Sequence, residues 1–392
     1  MIFRPLRTGV SAGKYGTRWA SSAAATTKKH PRTALFFPGQ GVQRVGMTTD
    51  WLEAFPRTVK PILDEIDETL KYPLSKIIAD GPNSKLTATD NAQPAIMATS
   101  IMILRVLEQE FGFRTSDTVD VTLGHSLGEF AALVAGGYLR YGDALKMVHQ
   151  RGQVMTACSK DAAASFGGEV GMIALVCEPN QRDAMIDGIH QFLGHGKADS
   201  GDDTPAVHQV LIANINSKNQ IVLSGNIERI KELLMHLRQW GGHDPRAVRL
   251  KADSPFHSPL MKPAAERMHE LLAKKSSVAQ GEDVVTFPGL FPCVSNVSAR
   301  PFESKEQLQD LLARQCCETV MWHASIQYLH QTEKVRRWVG IGPGKVGRNL
   351  VGKEVGMKGA VKGGGVWAIS EPREVEEVMR GLEETANFQD ED

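Results

Sequence analysis

The sequence predicts an α/β protein, with a large α/β-hydrolase-like domain on a parallel sheet interrupted by a smaller ferredoxin-like subdomain. Three observations carry this. Short apolar strand segments alternate with helical stretches at both ends of the chain, the pattern of a parallel sheet with helices on its faces. A Gly-x-Ser-x-Gly turn stands between one such strand and the helix after it. Between residues 172 and 250 the order of apolar and helical segments becomes βαββαβ, the ferredoxin-like arrangement.

In chain order, the first element is a strand at 33–37 that ends in Pro38-Gly39-Gln40-Gly41. Helices are expected over about 48–70, with a break near Pro56, and over 91–112. A strand at 119–123 leads into Gly124-His125-Ser126-Leu127-Gly128-Glu129, and helices follow at 127–136 and 142–158. In the middle region, 172–176 is apolar, 180–192 helical, 209–215 and 220–224 apolar, 228–240 helical and 247–250 apolar. A loop rich in Ser and Pro then reaches His257, a helix runs from 261 to about 273, and the α/β pattern resumes. The expected division is 33–165 with 251–385 for the large domain and 166–250 for the insertion. Its two junctions bring Arg151 and His257 near one cleft between domains, a favoured place for a ligand.

The chemistry starts at Ser126. Gly124 and Gly128 remove side chains where strand and helix pinch together, so the hydroxyl is held at the tip of a strained turn. Backbone N–H groups at the helix start face the place where an oxyanion would form. A nucleophilic serine needs a base. Of twelve histidines, His257 stands out at a loop–helix junction, where it reads equally as a helix cap. The flanking glycines of Gln40 let its backbone approach a ligand, or simply make a tight turn. Arg151 lies in a helical stretch and, taken alone, reads as a solvated surface charge.

Together these segments resemble the malonyl-CoA:acyl-carrier-protein acyltransferase family. The resemblance rests on Phe37-Pro38-Gly39-Gln40-Gly41, Gly124 to Glu129, Arg151-Gly152-x-x-Met155, His257 before Leu260-Met261-Lys262-Pro263, Arg314-Gln315 before Trp322, and Gly342-Pro343-Gly344-Lys345. The motifs fall in the family's order over about residues 33–368. It implies a ping-pong transfer of malonyl from malonyl-CoA to the phosphopantetheine thiol of acyl carrier protein, feeding fatty acid synthesis. Ser126 would be the nucleophile and His257 the base, oriented by the backbone carbonyl of Gln315. The Gln40 and Leu127 N–H groups would form the oxyanion hole, and Arg151 would grip the malonyl carboxylate. No cofactor is implied, since the CoA thioester is itself a substrate, and no third carboxylate is called for. A thioesterase or lipase-like hydrolase would share the elbow but have no use for Arg151, and would place an acidic residue between serine and histidine in chain order.

The formal net charge of zero hides an asymmetry. Residues 1–32 hold seven basic residues, the first acidic residue is Asp50, and the remainder carries 38 basic against 45 acidic residues. A basic, Ser/Ala-rich leader free of acid and of a long apolar core reads as a mitochondrial transit peptide. It directs the expectation of a matrix enzyme, a monomer serving the mitochondrial acyl carrier protein. Residues 386–392 form an acidic tail. No apolar run approaches the ~20 residues that span a bilayer, nothing points to nucleic acid, and the five cysteines lack any metal-site spacing. Eight basic residues between Lys334 and Lys362, against Glu354 alone, suggest a rim for an acidic carrier.

Overall fold

The computed structural model describes residues 30–166, 169–194, 209–251, 254–356, 359–361 and 363–386. The leader up to residue 29, the stretch at 195–208 and the acidic tail from 387 onward lie outside the described residues. Strands β1 (Thr33–Phe37), β2 (Val121–Gly124), β3 (Val170–Val176), β4 (Val210–Ser217), β5 (Gln220–Asn226), β6 (Arg246–Arg249), β7 (Cys293–Val294), β8 (Arg337–Ile341), β9 (Gly359–Val361) and β10 (Gly364–Ile369) form two sheets.

The larger sheet runs β7-β2-β1-β8-β10-β9, parallel throughout except for the β9–β10 hairpin. β1 is buried along its whole length because helices cover both faces. Leu35 and Phe37 pack into the helical layer that holds helices Thr89–Glu110 and Tyr141–Phe166. Ala34 and Phe36 point the other way, to Trp322, Ile326, Trp338 and Val351. The parallel register of β1 and β2 brings Phe37 and Gly124 side by side at the carboxyl end of the sheet, where loops 38–41 and 124–128 emerge together.

Several boundaries differ from the sequence reading. β2 occupies 121–124 rather than 119–123, because Asp120 spends its carboxylate on the Thr33 N–H (2.8 Å) at the foot of the sheet. The helix expected at 142–158 runs from Tyr141 to Phe166. Its extension is alanine-rich, and good helix formers continue a helix after the apolar stripe has faded. Residue 166 therefore belongs to that helix, and the inserted unit begins with β3 at Val170. The helix expected near 91–112 is Thr89–Glu110. The break at Pro56 is present, with Phe55 between helices Thr49–Ala54 and Pro56–Leu70.

The smaller sheet is wholly antiparallel, in the order β4-β5-β3-β6, with helices Arg182–Phe192 and Ile227–Gln239 completing a βαββαβ chain order. Its two faces have different tasks. Ile173, Leu175, Ile221 and Leu223 pack against the helices, while Met172, Ala174, Asn214, Asn216 and Val222 face a cleft shared with the larger sheet. β4 is pinned across the junction by Ile215 N–H donating to Val320 O (3.0 Å) and Val320 N–H to Ala213 O (2.8 Å). No helix among the described residues is long and apolar enough to cross a membrane.

Candidate active site

The cleft encloses about 460 Å³ between the carboxyl ends of β1 and β2 and the inner face of the smaller sheet; Gln40, Ser126, Phe256 and His257 are on its wall. Ser126 has φ +50°, a left-handed conformation uncommon for a residue with a side chain. The flanking glycines are sterically required. A Cβ on Gly124 would lie 2.0 Å from the Gly128 carbonyl, and one on Gly128 would lie 2.4 Å from Phe37 O. Asn296 clamps the strained turn, accepting from Ser126 N–H at 2.6 Å and donating through Nδ2 to Gly124 O at 2.6 Å.

His257 also has a left-handed backbone, φ +56°, and is 2% exposed. Its Nε2 lies 2.7 Å from Ser126 Oγ, and its Nδ1 lies 2.7 Å from Gln315 O. A carbonyl only accepts, so Nδ1 carries the proton and Nε2 presents its lone pair to the serine hydroxyl. Burial first, and then the Arg151 charge, lower the imidazole pKa to about 3, which keeps the ring neutral. Among the described residues, no carboxylate hydrogen-bonds His257 to complete the pair.

Gly39 packs against the elbow so closely that a Cβ there would sit 2.7 Å from His125 O. Loop 38–41 is thereby pressed onto the nucleophile turn, with Gln40 on the cleft wall beside Ser126. Among the described residues the Gln40 and Leu127 N–H groups have no backbone acceptor. The Gln40 side chain is tied back to Thr89 Oγ1 at 3.0 Å.

Arg151 is not a surface charge. It is 1% exposed and sits behind the cleft wall, with one Nη donating to Gln93 Oε1 (2.8 Å) and the other to Gln315 Oε1 (3.0 Å). The guanidinium lies over the Phe130 ring at 5.8 Å, and its Nε has no partner among the described residues. These two partners are neutral amides and the Cys316 thiol stands beside them, an unusual setting for a buried cation, which as a rule is paired with a carboxylate.

All six candidate residues are therefore in one place, with Gln315 at their centre: its carbonyl holds His257 and its side chain holds Arg151. Sequence reasoning missed three other participants. Glu129 is fully buried, and its oxygens accept from Gln315 Nε2 (2.6 Å) and Asn296 N–H (3.2 Å). Burial pushes its carboxyl pKa up to about 8, against the pull of those donors and of Arg151. Glu129 was visible as the last residue of the serine motif, whereas Gln93 and Asn296 have no local pattern around them. On the facing side, His125 Nε2 meets Asn216 Oδ1 at 2.9 Å, linking the nucleophile turn to β4 of the smaller sheet.

The basic run at 334–362 does not form one rim. Arg337 is 2% exposed at the start of β8 and donates to Thr33 Oγ1 and Leu382 O, at the opposite end of the sheet from Ser126. Lys345 pairs with Glu374, Lys353 donates to Asn219, and Lys358 and Lys362 lie outside the described residues. Of the helix that follows Lys345, Val346, Gly347 and Leu350 line the cleft.

Comparison with known proteins places the chain in a family. Residues 35–190 match the acyl transferase domain family. The malonyl CoA-acyl carrier protein transacylase of Bacillus subtilis is 35% identical over 353 residues, covering 90% of this chain and 98% of that protein. An acyl-carrier-protein S-malonyltransferase from Bartonella henselae superposes with a TM-score of 0.72 at 30% identity, covering 90% of this chain and 99% of that one. A malonyl-transacylase solved in complex with its type II PKS acyl carrier protein superposes equally well, with a TM-score of 0.72 at 27% identity, covering 90% of this chain and 99% of that one. The chain belongs to the malonyl CoA-acyl carrier protein transacylase family.

Proposed function

We propose that this protein moves the malonyl group from malonyl-CoA to the phosphopantetheine thiol of an acyl carrier protein, through a malonyl-Ser126 intermediate, supplying fatty acid synthesis. The observation that carries this reading is Arg151, a buried guanidinium wired to the serine–histidine pair through Gln315 and held, among the described residues, by the neutral amides of Gln93 and Gln315 with the Cys316 thiol beside them. A plain hydrolase has no use for such a group. An acyl chain ending in a carboxylate supplies the missing anion, and a planar bidentate donor suits it.

Ser126 Oγ gives its proton to His257 Nε2 and attacks the thioester carbon. The oxyanion is stabilised by the Gln40 and Leu127 N–H groups. As the tetrahedral centre collapses, the C–S bond breaks and the CoA sulfur takes the proton from His257. The carrier's thiol then gives its proton to His257, attacks the malonyl ester and releases Ser126 with its proton restored. A backbone carbonyl suffices to orient the imidazole here, because a thioester is a more reactive acyl donor than an amide.

The test uses malonyl-CoA labelled in the acyl group. Label should appear on Ser126 by mass spectrometry and pass to carrier protein; label released to water instead would make the protein a hydrolase. We further read residues 1–32 as a mitochondrial transit peptide and the mature protein as a matrix monomer serving the mitochondrial acyl carrier protein, on the strength of the basic, acid-free composition of that leader. N-terminal sequencing of the protein from fractionated mitochondria, with sedimentation of the purified chain, tests both.

A further inference from the structure

One buried ionisable group takes no part in the steps above. Glu129 opens the helix Gly128–Ala135 directly under the nucleophile turn, with no exposure to solvent. We propose that Glu129 is a positioning residue which, through the side-chain amide of Gln315, fixes how Arg151 presents its guanidinium and so sets the preference for acyl groups that end in a carboxylate. The inference rests on the acyl-transfer reading given above.

The two polar ends of Gln315 serve different partners. Its backbone carbonyl accepts from His257 Nδ1. Its side chain accepts from Arg151 through Oε1 at 3.0 Å and donates through Nε2 to Ser126 O at 2.8 Å and Glu129 Oε2 at 2.6 Å. A side-chain amide has two orientations that exchange oxygen for nitrogen. In the reversed one, N–H groups would face the N–H groups of Arg151. Acceptors around Nε2 forbid that reversal. Ser126 O is a shared acceptor, since it already takes the Glu129 N–H at 3.0 Å. The Glu129 carboxyl is therefore the stronger determinant, and it is itself held from the other side by Asn296 N–H.

The backbone carbonyl of Gln315 and its side chain are separable, because the amide can rotate without moving the main chain. Loss of the Glu129 acceptor should thus disturb Arg151 while leaving His257 oriented. That predicts a split between acyl groups, which a residue that only supported the fold would not produce.

The experiment measures single-turnover acylation of wild type, Glu129→Ala, Glu129→Leu and Glu129→Gln with malonyl-CoA and with acetyl-CoA, by intact mass. For Glu129→Ala the half-saturating malonyl-CoA concentration should rise by about tenfold or more while acetyl acylation changes by less than about threefold, the scale of one hydrogen bond lost at a buried partner. Glu129→Leu, which keeps the volume without an acceptor, gives the same comparison should alanine leave the chain unfolded. Glu129→Gln retains an oxygen for Gln315 Nε2 and should keep most of the malonyl preference. Parallel losses for both acyl groups, an unchanged malonyl constant in the alanine and leucine variants, or a glutamine variant as unselective as alanine would each overturn the proposal. A wild type that loads no malonyl at all would instead overturn the acyl-transfer reading and this inference with it.

Discussion

Ser126 and His257 approach to 2.7 Å between Oγ and Nε2, and both do so from left-handed backbone conformations, at φ +50° and +56°. Neither residue is a glycine, so each conformation costs on the order of 1–3 kcal/mol that the surroundings must hold in place. The hydrogen bond is therefore made by two strained loops meeting at a point. Ser126→Ala should abolish both the acyl-enzyme and carrier transfer. His257→Ala should slow acylation by about 10²–10⁴-fold, the contribution of a general base. Intact mass after mixing with malonyl-CoA reads both, and an adduct on the Ser126→Ala protein would place the nucleophile elsewhere.

Arg151→Ala should remove malonyl loading while sparing acetyl loading. The substrate carboxylate would enter a buried site without its partner, a loss worth roughly 3–5 kcal/mol. Equal losses for malonyl and acetyl would reduce Arg151 to a packing role.

The two buried titratable groups of the site give opposite pH dependences. His257 has a folded pKa of about 3 against an ordinary 6.5, so between those values the unfolded chain binds the proton and the folded one does not. Its contribution to stability is present above 6.5 and is lost as the pH falls toward 3. Glu129 has a folded pKa of about 8 against an ordinary 4.5, so the folded chain holds the proton there. Its contribution is present below 4.5 and is lost as the pH rises through 8. Urea unfolding at about pH 5 and about pH 8 should show a smaller alkaline loss for Glu129→Gln, which cannot titrate, than for wild type. Acylation should stay flat from about pH 8 down to about pH 5, through the range where an ordinary imidazole gains its proton. A fall centred near 6.5 would mean that the base is solvated.

Asn296→Ala should impair the turn itself. It leaves Ser126 N–H and Gly124 O without their partner, at a cost of about 1–3 kcal/mol per buried group left unpaired. Calorimetry should show the loss in Tm, and acylation should slow for malonyl and acetyl alike, because the nucleophile rather than the carboxylate receptor is disturbed. A selective loss of malonyl would contradict that assignment.

What could be read in advance follows from how local the constraint is. The turn at Gly124–Gly128 was legible because steric demand acts within five residues and only glycine meets it. β1 was legible because five consecutive buried positions leave an apolar signature. Asn296 was not legible: its partners, Gly124 and Ser126, are some 170 positions away, and β7 before it is two residues long. Gln93 lies in a helix buried almost all round, where one polar residue has no periodic pattern to break. The basic run misled because neighbours in sequence are not neighbours on a surface: Arg337 belongs to a central strand and Lys345 to the loop beyond its far end.

The double-sided smaller sheet has a consequence for how such an enzyme can change. Met172, Ala174 and Val222 shape the cleft, while Ile173, Leu175 and Leu223 on the same strands keep the subdomain folded against its helices. Substrate range and foldedness are thus written on alternate letters of one text. The wall facing the cleft can be revised one position at a time without thinning the helix-facing layer beneath it. Across the cleft there is no such freedom, since Gly39, Gly124 and Gly128 sit where even a methyl group meets backbone. Selection for a new acyl group would enter through the inserted subdomain and leave the nucleophile turn as it stands.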